Sequence, residues 1–277
     1  MTLGIFAVVL AAALLHAIWN ALVKAAADKL FGAILITSGA AAIAAALLPF
    51  LKAPHAASVP FALASAVLQV SYYLLLARAY ELSDMSQAYP VMRGTAPLLV
   101  AAFTALWVKE PLSAIAWAGI VAICCGILAI ALGTGFRIWA GLHFALLNAF
   151  IIAAYTVVDG IGVRRSGAPG AYTMLVFLFT GAPLMLWAMV VKRSAFLSNL
   201  RRHWRLSLVG GLGTTVSYGL ALWAMTKAPV AVVAALRETS IVFGTLIAWL
   251  VLKERIGRRR IIAAFVVAGG AVIIRLA

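Results

Sequence analysis

The sequence predicts an all-α membrane protein with ten transmembrane helices, arranged as two inverted repeats of five helices. Three observations lead to this fold class. Hydrophobic residues make up 66% of the 277 residues and charged residues 10%, whereas a soluble domain usually carries about 25% charged residues. The apolar residues form about ten stretches of membrane-spanning length, and the mean hydropathy is +1.11. Charged residues of the first half of the chain recur in the second half.

The ten stretches account for nearly the whole chain and leave no room for a soluble domain. The first stretch has no basic segment before it and continues past His16 and Asn20, so we expect a mature first span and not a cleaved signal peptide. The polar stretch 192–205 is too small to fold alone. The predicted spans are 3–24, 30–51, 58–80, 85–108, 113–133, 138–161, 170–192, 204–227, 229–252 and 258–276.

The second half of the chain repeats the first at an offset of 144 positions. MRGTAPLLVAAFTALWVKEPL at 92–112 aligns with LRETSIVFGTLIAWLVLKERI at 236–256. Five spans per half is an odd number, so the halves must lie in opposite orientations; we assign them to residues 1–136 and 137–277. Such inverted repeats are typical of secondary transporters, which bind substrate near the midplane between the repeats. The aligned pairs are Arg93 and Arg237, Thr95 and Thr239, Lys109 and Lys253, Glu110 and Glu254, and Gly126 and Gly270.

The composition argues against several other classes of protein. The net charge is +15, but the Lys and Arg residues cluster in short loops between spans, so we expect the lipid bilayer as a partner and no nucleic acid. Cys124 and Cys125 are adjacent in the fifth span, where packing explains them best. The four His and seven acidic residues do not group into a metal or catalytic set, so we expect no enzyme, no metal and no cofactor.

Arg93 and Arg237 are the leading candidates for a binding site. A charge near the bilayer centre costs roughly 3 kcal/mol on insertion scales and persists where it faces the protein interior or a water-filled cavity. A guanidinium is a planar fork that matches a carboxylate or a phosphate. For Arg93 an internal pair is an equal alternative, whereas Arg237 is expected to be structural because Glu238 follows it. Pro90 and Pro97 predict a bend of the fourth span around Arg93.

Polar and aromatic residues inside the predicted spans complete the candidate site. His16, Asn20 and Lys24 are spaced by four residues and share one helical face, which should point inward. His16 has either a proton-relay role or an ordinary hydrogen-bonding one. Asp159 is a further polar residue within the predicted spans, close enough to a span end for a loop carboxylate to be the alternative, and packing explains the glycines at 210–213. The predicted substrate-binding residues are His16, Trp19, Asn20, Gln69, Tyr72, Tyr73, Tyr89, Arg93, Tyr155, Tyr218, Trp223 and Arg237.

The chain resembles a known family over essentially its whole length. The pattern HAxWNxxxK, with His16, Trp19, Asn20 and Lys24, and the tripeptides KEP and KER after the fourth and ninth spans are similar to those of the EamA-type branch of the drug/metabolite transporter superfamily. Within that superfamily the chain is most similar to the YddG-like exporters of aromatic amino acids. The resemblance implies a multi-pass transporter of the cell inner membrane that exports amino acids by alternating access.

The sequence leaves several alternatives open. Drugs, sugar phosphates and lipid-linked sugars are alternative substrates. An integral-membrane enzyme is a less favoured alternative function. The sequence shows no site for a coupling ion, so proton antiport, exchange and facilitated diffusion remain alternative mechanisms. A chain that contains both repeats is able to act as a monomer. Basic residues concentrate in loops after odd-numbered spans, which places both termini outside the cytoplasm, whereas members of the superfamily are usually drawn with both termini inside.

Overall fold

The computed structural model describes residues 1–24, 29–82, 85–132, 139–251, 253 and 257–277. These residues form α-helices and short connections with no strand among them, which confirms the all-α prediction. Outside the described part of the chain lie Glu254, Arg137, the side chain of Lys24 and the predicted boundary between the repeats. The helices are α1 (Leu3–Lys24), α2 (Lys29–Leu47), α3 (Val59–Leu82), α4 (Met85–Phe103), α5 (Ala114–Leu132), α6 (Trp139–Ser166), α7 (Pro169–Val191), α8 (Arg193–Met225), α9 (Val230–Arg237), α10 (Ser240–Leu250) and α11 (Arg258–Leu276).

These helices supply ten membrane spans. Within the described residues, nine segments are long and apolar enough to cross a membrane, and α9 and α10 together form one of them. The tenth span is α11, which has three arginines in its first turn and Arg275 in its last. Large apolar side chains cover the outside of the bundle; Val67, Trp107 and Phe265 are 67%, 71% and 74% exposed. Lipid accepts such a surface, because its tails are as apolar as these side chains.

Two helices extend beyond their predicted spans. Helix α6 continues to Ser166, past the predicted end at 161, and carries Arg164 and Arg165 in its last turn, where cations interact favourably with the helix dipole. Helix α8 begins at Arg193, eleven residues before the predicted start, and has a kink at His203. The basic stretch therefore does not fold alone but extends α8, with Phe196 buried against α2 and α7.

The ninth span is interrupted at its arginine. Helix α9 ends at Arg237, and the next two residues form a turn before α10 begins. The two prolines of the fourth span had predicted a bend around Arg93, yet α4 is helical through both Pro90 and Pro97. The break lies instead in the second repeat, on the chain segment aligned with α4.

The packing of the helices follows a two-fold relation between the repeats. Helix α3 packs along α6, and their counterparts α8 and α1 pack along each other; α2 packs on its counterpart α7, and α5 on its counterpart α11. Lys109 and Lys253, which the repeat aligns, are the two described non-glycine residues with a positive φ, at 56° and 52°. Both residues take the left-handed backbone conformation at aligned positions near a span end. The prediction of two five-helix repeats is confirmed.

One close contact between α5 and α11 occurs twice. A Cβ atom on Gly126 would lie 3.1 Å from Val267, and a Cβ atom on Gly270 would lie 2.7 Å from Ile123. Gly126 aligns with Gly270, and Ile123 aligns with Val267, so the two contacts are equivalent. They hold the last span of each repeat against the other.

Helices α2 and α8 approach at backbone distance. A Cβ atom on Gly211 would lie 2.7 Å from the carbonyl carbon of Gly39, and the hydroxyl of Ser207 donates to the carbonyl of Leu35 at 2.6 Å. Small residues permit this approach, as the packing interpretation of the 210–213 glycines expected. The α2–α8 contact joins the two repeats at the periphery of the bundle.

Candidate functional site

Arg93 forms a two-point ion pair with Glu238, which links the two repeats. The Nη2 atom of Arg93 lies 2.7 Å from Oε1 of Glu238, and its Nε donates to Oε2 at 2.9 Å. The side chains are 11% and 5% exposed. The planar fork fits the carboxylate at both oxygens, which is the geometry that best repays the loss of hydration. Of the two alternatives for Arg93, the structure therefore shows the internal pair.

Arg237 is half-buried and has no carboxylate partner among the described residues. Its Nε is buried without a hydrogen-bond partner, and its Cζ lies 5.0 Å from the centroid of the Tyr218 ring. The expected pairing of Arg237 with Glu238 is wrong. Residues adjacent on a helical turn do not face each other, and Glu238 points across the interface to Arg93 instead.

The repeat is broken at the position of Glu238. The alignment that pairs Arg93 with Arg237 places Gly94 opposite Glu238. A Cβ atom on Gly94 would already lie 2.8 Å from Leu128, so α5 fills the space beside it. At these two aligned positions, the repeats together supply two arginines and one carboxylate.

A second buried carboxylate, Asp159, lies one side chain away from Arg237. Asp159 is 0% exposed. The hydroxyl of Tyr172 donates to Oδ1 at 2.9 Å, the hydroxyl of Tyr218 donates to Oδ2 at 2.5 Å, and Nε2 of Gln69 lies 3.5 Å from Oδ2. The interpretation of Asp159 as a loop carboxylate is wrong, because α6 continues for about two further turns.

Five residues from four helices and the α9–α10 turn form what we call the buried charge cluster. Helix α4 supplies one arginine, α6 the aspartate, α8 the tyrosine, the end of α9 the second arginine, and the α9–α10 turn the glutamate. Because α9 stops at Arg237, the two adjacent residues leave the helix in different directions. The cluster consists of Arg93, Glu238, Arg237, Tyr218 and Asp159.

Four predicted tyrosines surround the cluster. Tyr72 contacts Tyr73 and Tyr155 edge to face, with ring centroids 5.1 Å and 6.2 Å apart. Tyr155 and Tyr89 interact electrostatically with both arginines of the cluster. All four are half-buried. The rings offer an apolar surface next to the charges.

The predicted residues of α1 lie on the other side of the arginines. His16 interacts electrostatically with Arg93 and Arg237, and its ring meets the Trp19 ring edge on at 5.1 Å. The indole N–H of Trp19 is buried without a hydrogen-bond partner. Asn20 donates to the carbonyl of His16 at 2.9 Å, so its amide nitrogen serves its own helix. His16 and Trp19 are therefore the α1 residues that we associate with the cluster.

The last two predicted site residues differ in position: Trp223 lies away from the cluster, and Gln69 lies against it. Trp223 is 39% exposed and shares the outward face of α8 with Leu212 and Val216, whereas Tyr218 is 7% exposed and points inward. The structure does not bring Trp223 to the cluster. Gln69 is buried beside Asp159, where it also donates to Ser65 at 3.0 Å.

Two further signals in the sequence indicate the equivalence of two site tyrosines and the position of Asp159 within a helix. The tripeptide Val-Ser-Tyr occurs at 70–72 and at 216–218, which makes Tyr72 and Tyr218 counterparts. Asp159 is followed by Gly-Ile-Gly-Val before the first arginine, so the apolar span continues beyond it. The pairing of Arg93 with Glu238 has no local signal, since 145 positions separate the two residues.

Comparison with known proteins identifies the family. The model of the EamA-like transporter family matches the chain twice, over residues 2–132 and 139–276. The chain belongs to the EamA-like transporter family. No curated protein sequence matches it significantly. A solved structure described only as that of a protein is similar over 98% of this chain and 95% of its own, with a TM-score of 0.75 and 20% identity, which supports the fold.

Membership in the EamA-like family gives the buried charge cluster a context. The chain is a multi-pass membrane transporter of small molecules. The two family matches coincide with the two five-helix repeats, and Arg93, Glu238 and Arg237 meet where those repeats face each other. In transporters built from inverted repeats, substrate binds at this interface.

Proposed function

We propose that this EamA-like transporter exports amino acids with aromatic or hydrophobic side chains and that Arg237 binds their carboxylate. The observation that carries the proposal is the difference between the two equivalent arginines. Arg93 is neutralised by Glu238, whereas Arg237 has a buried Nε without a partner. A carboxylate would supply at Arg237 the counter-charge that Glu238 supplies at Arg93.

The surroundings of Arg237 favour a carboxylate over a phosphate. With Arg93 engaged, one guanidinium remains for an incoming anion among the residues of the cluster. One cation balances a carboxylate but leaves a phosphate dianion half compensated in a site of low dielectric. Sugar phosphates and lipid-linked sugars are therefore weaker candidates than amino acids.

The tyrosines and the tryptophan around the cluster suit an aromatic or hydrophobic side chain. Tyr72, Tyr73 and Tyr155 form a contiguous set of rings, and aromatic groups gain about 0.5–1.5 kcal/mol from edge-to-face packing beyond burial. The free indole N–H of Trp19 is available to a polar atom of the substrate. We place the protein in the cell inner membrane, acting as a monomer by alternating access of its two repeats.

Uptake into liposomes that contain the purified protein tests this function. Labelled phenylalanine, tryptophan, leucine, alanine and glutamate would be compared for wild type, Arg237→Gln and Arg275→Gln. Arg275 donates to the carbonyl of Met1 at 3.1 Å, at the end of α11 and outside the cluster, and serves as the matched arginine control. We expect saturable uptake of the aromatic and hydrophobic amino acids by wild type and Arg275→Gln, and at least tenfold slower uptake by Arg237→Gln, since a charge-assisted hydrogen bond is worth about 1.5–3 kcal/mol. Equal uptake by Arg237→Gln would refute the assignment.

A further inference from the structure

Arg237 and Asp159 are opposite charges that share one neighbour, Tyr218. Arg237 lies over the ring of Tyr218, and Asp159 accepts the hydrogen bond of its hydroxyl. Neither charge has an ion-pair partner among the described residues, whereas Arg93 and Glu238 neutralise each other. Among the described residues, one cation and one carboxylate without ion-pair partners thus contact opposite ends of the Tyr218 side chain.

The hydroxyl of Tyr218 is prepared to accept a hydrogen bond. Its proton points to Oδ2 of Asp159 at 2.5 Å, so the lone pairs of the phenol oxygen face away from the carboxylate. A phenol that donates to a carboxylate becomes a stronger acceptor, because hydrogen bonds in a chain polarise one another. No described residue donates to this oxygen in turn.

Hydrogen-bond donors from three other helices surround the carboxylate of Asp159. Tyr172 from α7, Tyr218 from α8, and Gln69 and Ser65 from α3 surround its carboxylate, and Arg237 is the cation that acts on it. Tyr155 is the further titratable group on its own helix. A Cβ atom on Gly162 would lie 2.2 Å from the Tyr172 hydroxyl, so a glycine one turn after Asp159 makes room for that donor.

From this arrangement we propose that the hydroxyl oxygen of Tyr218, with Asp159 behind it, binds the ammonium group of a zwitterionic substrate whose carboxylate is bound by Arg237. The inference rests on the proposed function and deepens it. In an α-amino acid the two charged groups are attached to one carbon, with nitrogen and oxygen roughly 3 Å apart. Arg237 lies 5.0 Å from the centre of the Tyr218 ring, so one such substrate is able to reach both groups.

The same arrangement makes proton binding and substrate binding compete. When Asp159 takes up a proton, its negative charge is lost and its new O–H donates towards the Tyr218 oxygen, which occupies the lone pair that the ammonium group needs. Asp159 is thus a positioning residue that acts through Tyr218. Affinity for a zwitterion falls on acidification, and affinity for a simple carboxylate does not fall for this reason.

Binding of three related probes to the purified transporter tests the inference. L-phenylalanine carries both charges, 3-phenylpropanoate only the carboxylate, and 2-phenylethylamine only the ammonium group. We expect wild type to prefer L-phenylalanine over 3-phenylpropanoate by at least about tenfold, the ratio typical of one charge-assisted hydrogen bond. Tyr218→Phe and Asp159→Asn should each reduce that preference to near unity while 3-phenylpropanoate binds with wild-type affinity.

The matched control is Ser217→Ala, which also removes one buried hydroxyl from α8, because the Ser217 hydroxyl donates to the carbonyl of Ala12 at 2.8 Å and not to Asp159. This variant should retain the preference. The pH profile gives a second readout: between pH 7.5 and pH 5 the affinity for L-phenylalanine falls more in wild type than in Asp159→Asn. His16 remains in both proteins, so its titration does not produce the difference.

The outcomes separate the two proposals. Equal wild-type affinity for L-phenylalanine and 3-phenylpropanoate, with both lost in Arg237→Gln, would overturn the ammonium site and leave the carboxylate site standing. Binding of all probes that is indifferent to Arg237→Gln would overturn both. Tyr218→Phe removes a single oxygen atom, so it tests the inference even if Asp159→Asn fails to fold.

Discussion

Substituting Met at the two equivalent arginines should change stability in opposite ways. In Arg93→Met the carboxylate of Glu238 loses both of its contacts, at 2.7 and 2.9 Å, and stays buried and unpaired. Removing one partner of a buried ion pair costs about 3–5 kcal/mol. In Arg237→Met no ion pair is lost. The substitution removes a cation–π contact worth about 0.5–2 kcal/mol and relieves an unpartnered buried N–H that costs about 1–3 kcal/mol.

The two variants should therefore differ in unfolding free energy by at least about 2 kcal/mol, with Arg237→Met near wild type or above it. Thermal unfolding in detergent, followed by the fluorescence of the eight tryptophans, measures the difference. A domain of this size shifts by about 2–4 °C per kcal/mol, so Arg93→Met should lower the apparent Tm on the order of 10 °C. Arg93→Met/Glu238→Leu should recover most of the loss, because an apolar pair replaces the buried charges.

Equal losses of stability in Arg93→Met and Arg237→Met would refute the reasoning. That result would mean that Arg237 is engaged as firmly as Arg93. A double variant no more stable than Arg93→Met would show that the cost arises from packing and not from the unpaired carboxylate. In either case the difference between the arginines would no longer point to a ligand at Arg237.

Three further predictions concern the bundle as a whole. Lys109→Gly and Lys253→Gly should each raise the unfolding free energy by about 1 kcal/mol, because glycine adopts a positive φ without steric cost, and a lower Tm in the same fluorescence assay would contradict this. Gly211→Val should lower it by about 1–3 kcal/mol by forcing α8 away from Gly39, whereas Gly244→Val, where no atom lies near, should change it little, as thermal unfolding would show. Alkaline phosphatase fused after residue 277 should be active and the same enzyme fused within 192–205 inactive, since basic loops stay in the cytoplasm; the reverse pattern would overturn the predicted orientation.

The architecture could be predicted from the sequence because charged residues recur at equivalent positions of the two repeats. Matching arginines and lysines at a fixed offset, inside apolar runs that hold few other charges, fixed the number of repeats and their equivalence. The spans were less certain where a charge occurs inside a helix. Helix α6 includes Arg164 because its head group pairs with Glu110 at 2.7 Å and donates to the carbonyls of Met225 and Ala228. Arg193, which begins α8, is exposed.

The pairing within the site could not be predicted from the sequence. Glu238 is adjacent to Arg237, and only the three-dimensional arrangement shows that it faces Arg93. A loop position was considered for Asp159 because the predicted span ended at residue 161. Helix α6 in fact continues to Ser166, so Asp159 lies inside the helix. Tyr218 was predicted correctly as an inward residue, whereas Trp223, five positions later, lies on the opposite side of the same helix.

The absence of a counterpart to Glu238 decides how a guest molecule is oriented. An interface with perfect two-fold symmetry offers every asymmetric guest two equivalent poses, related by a half-turn, and the guest divides its time between them. Glu238 neutralises one arginine, and Gly94 leaves the other one free, so the two poses differ in energy. A carboxylate bound at Arg237, as proposed, therefore has one preferred orientation between the two repeats.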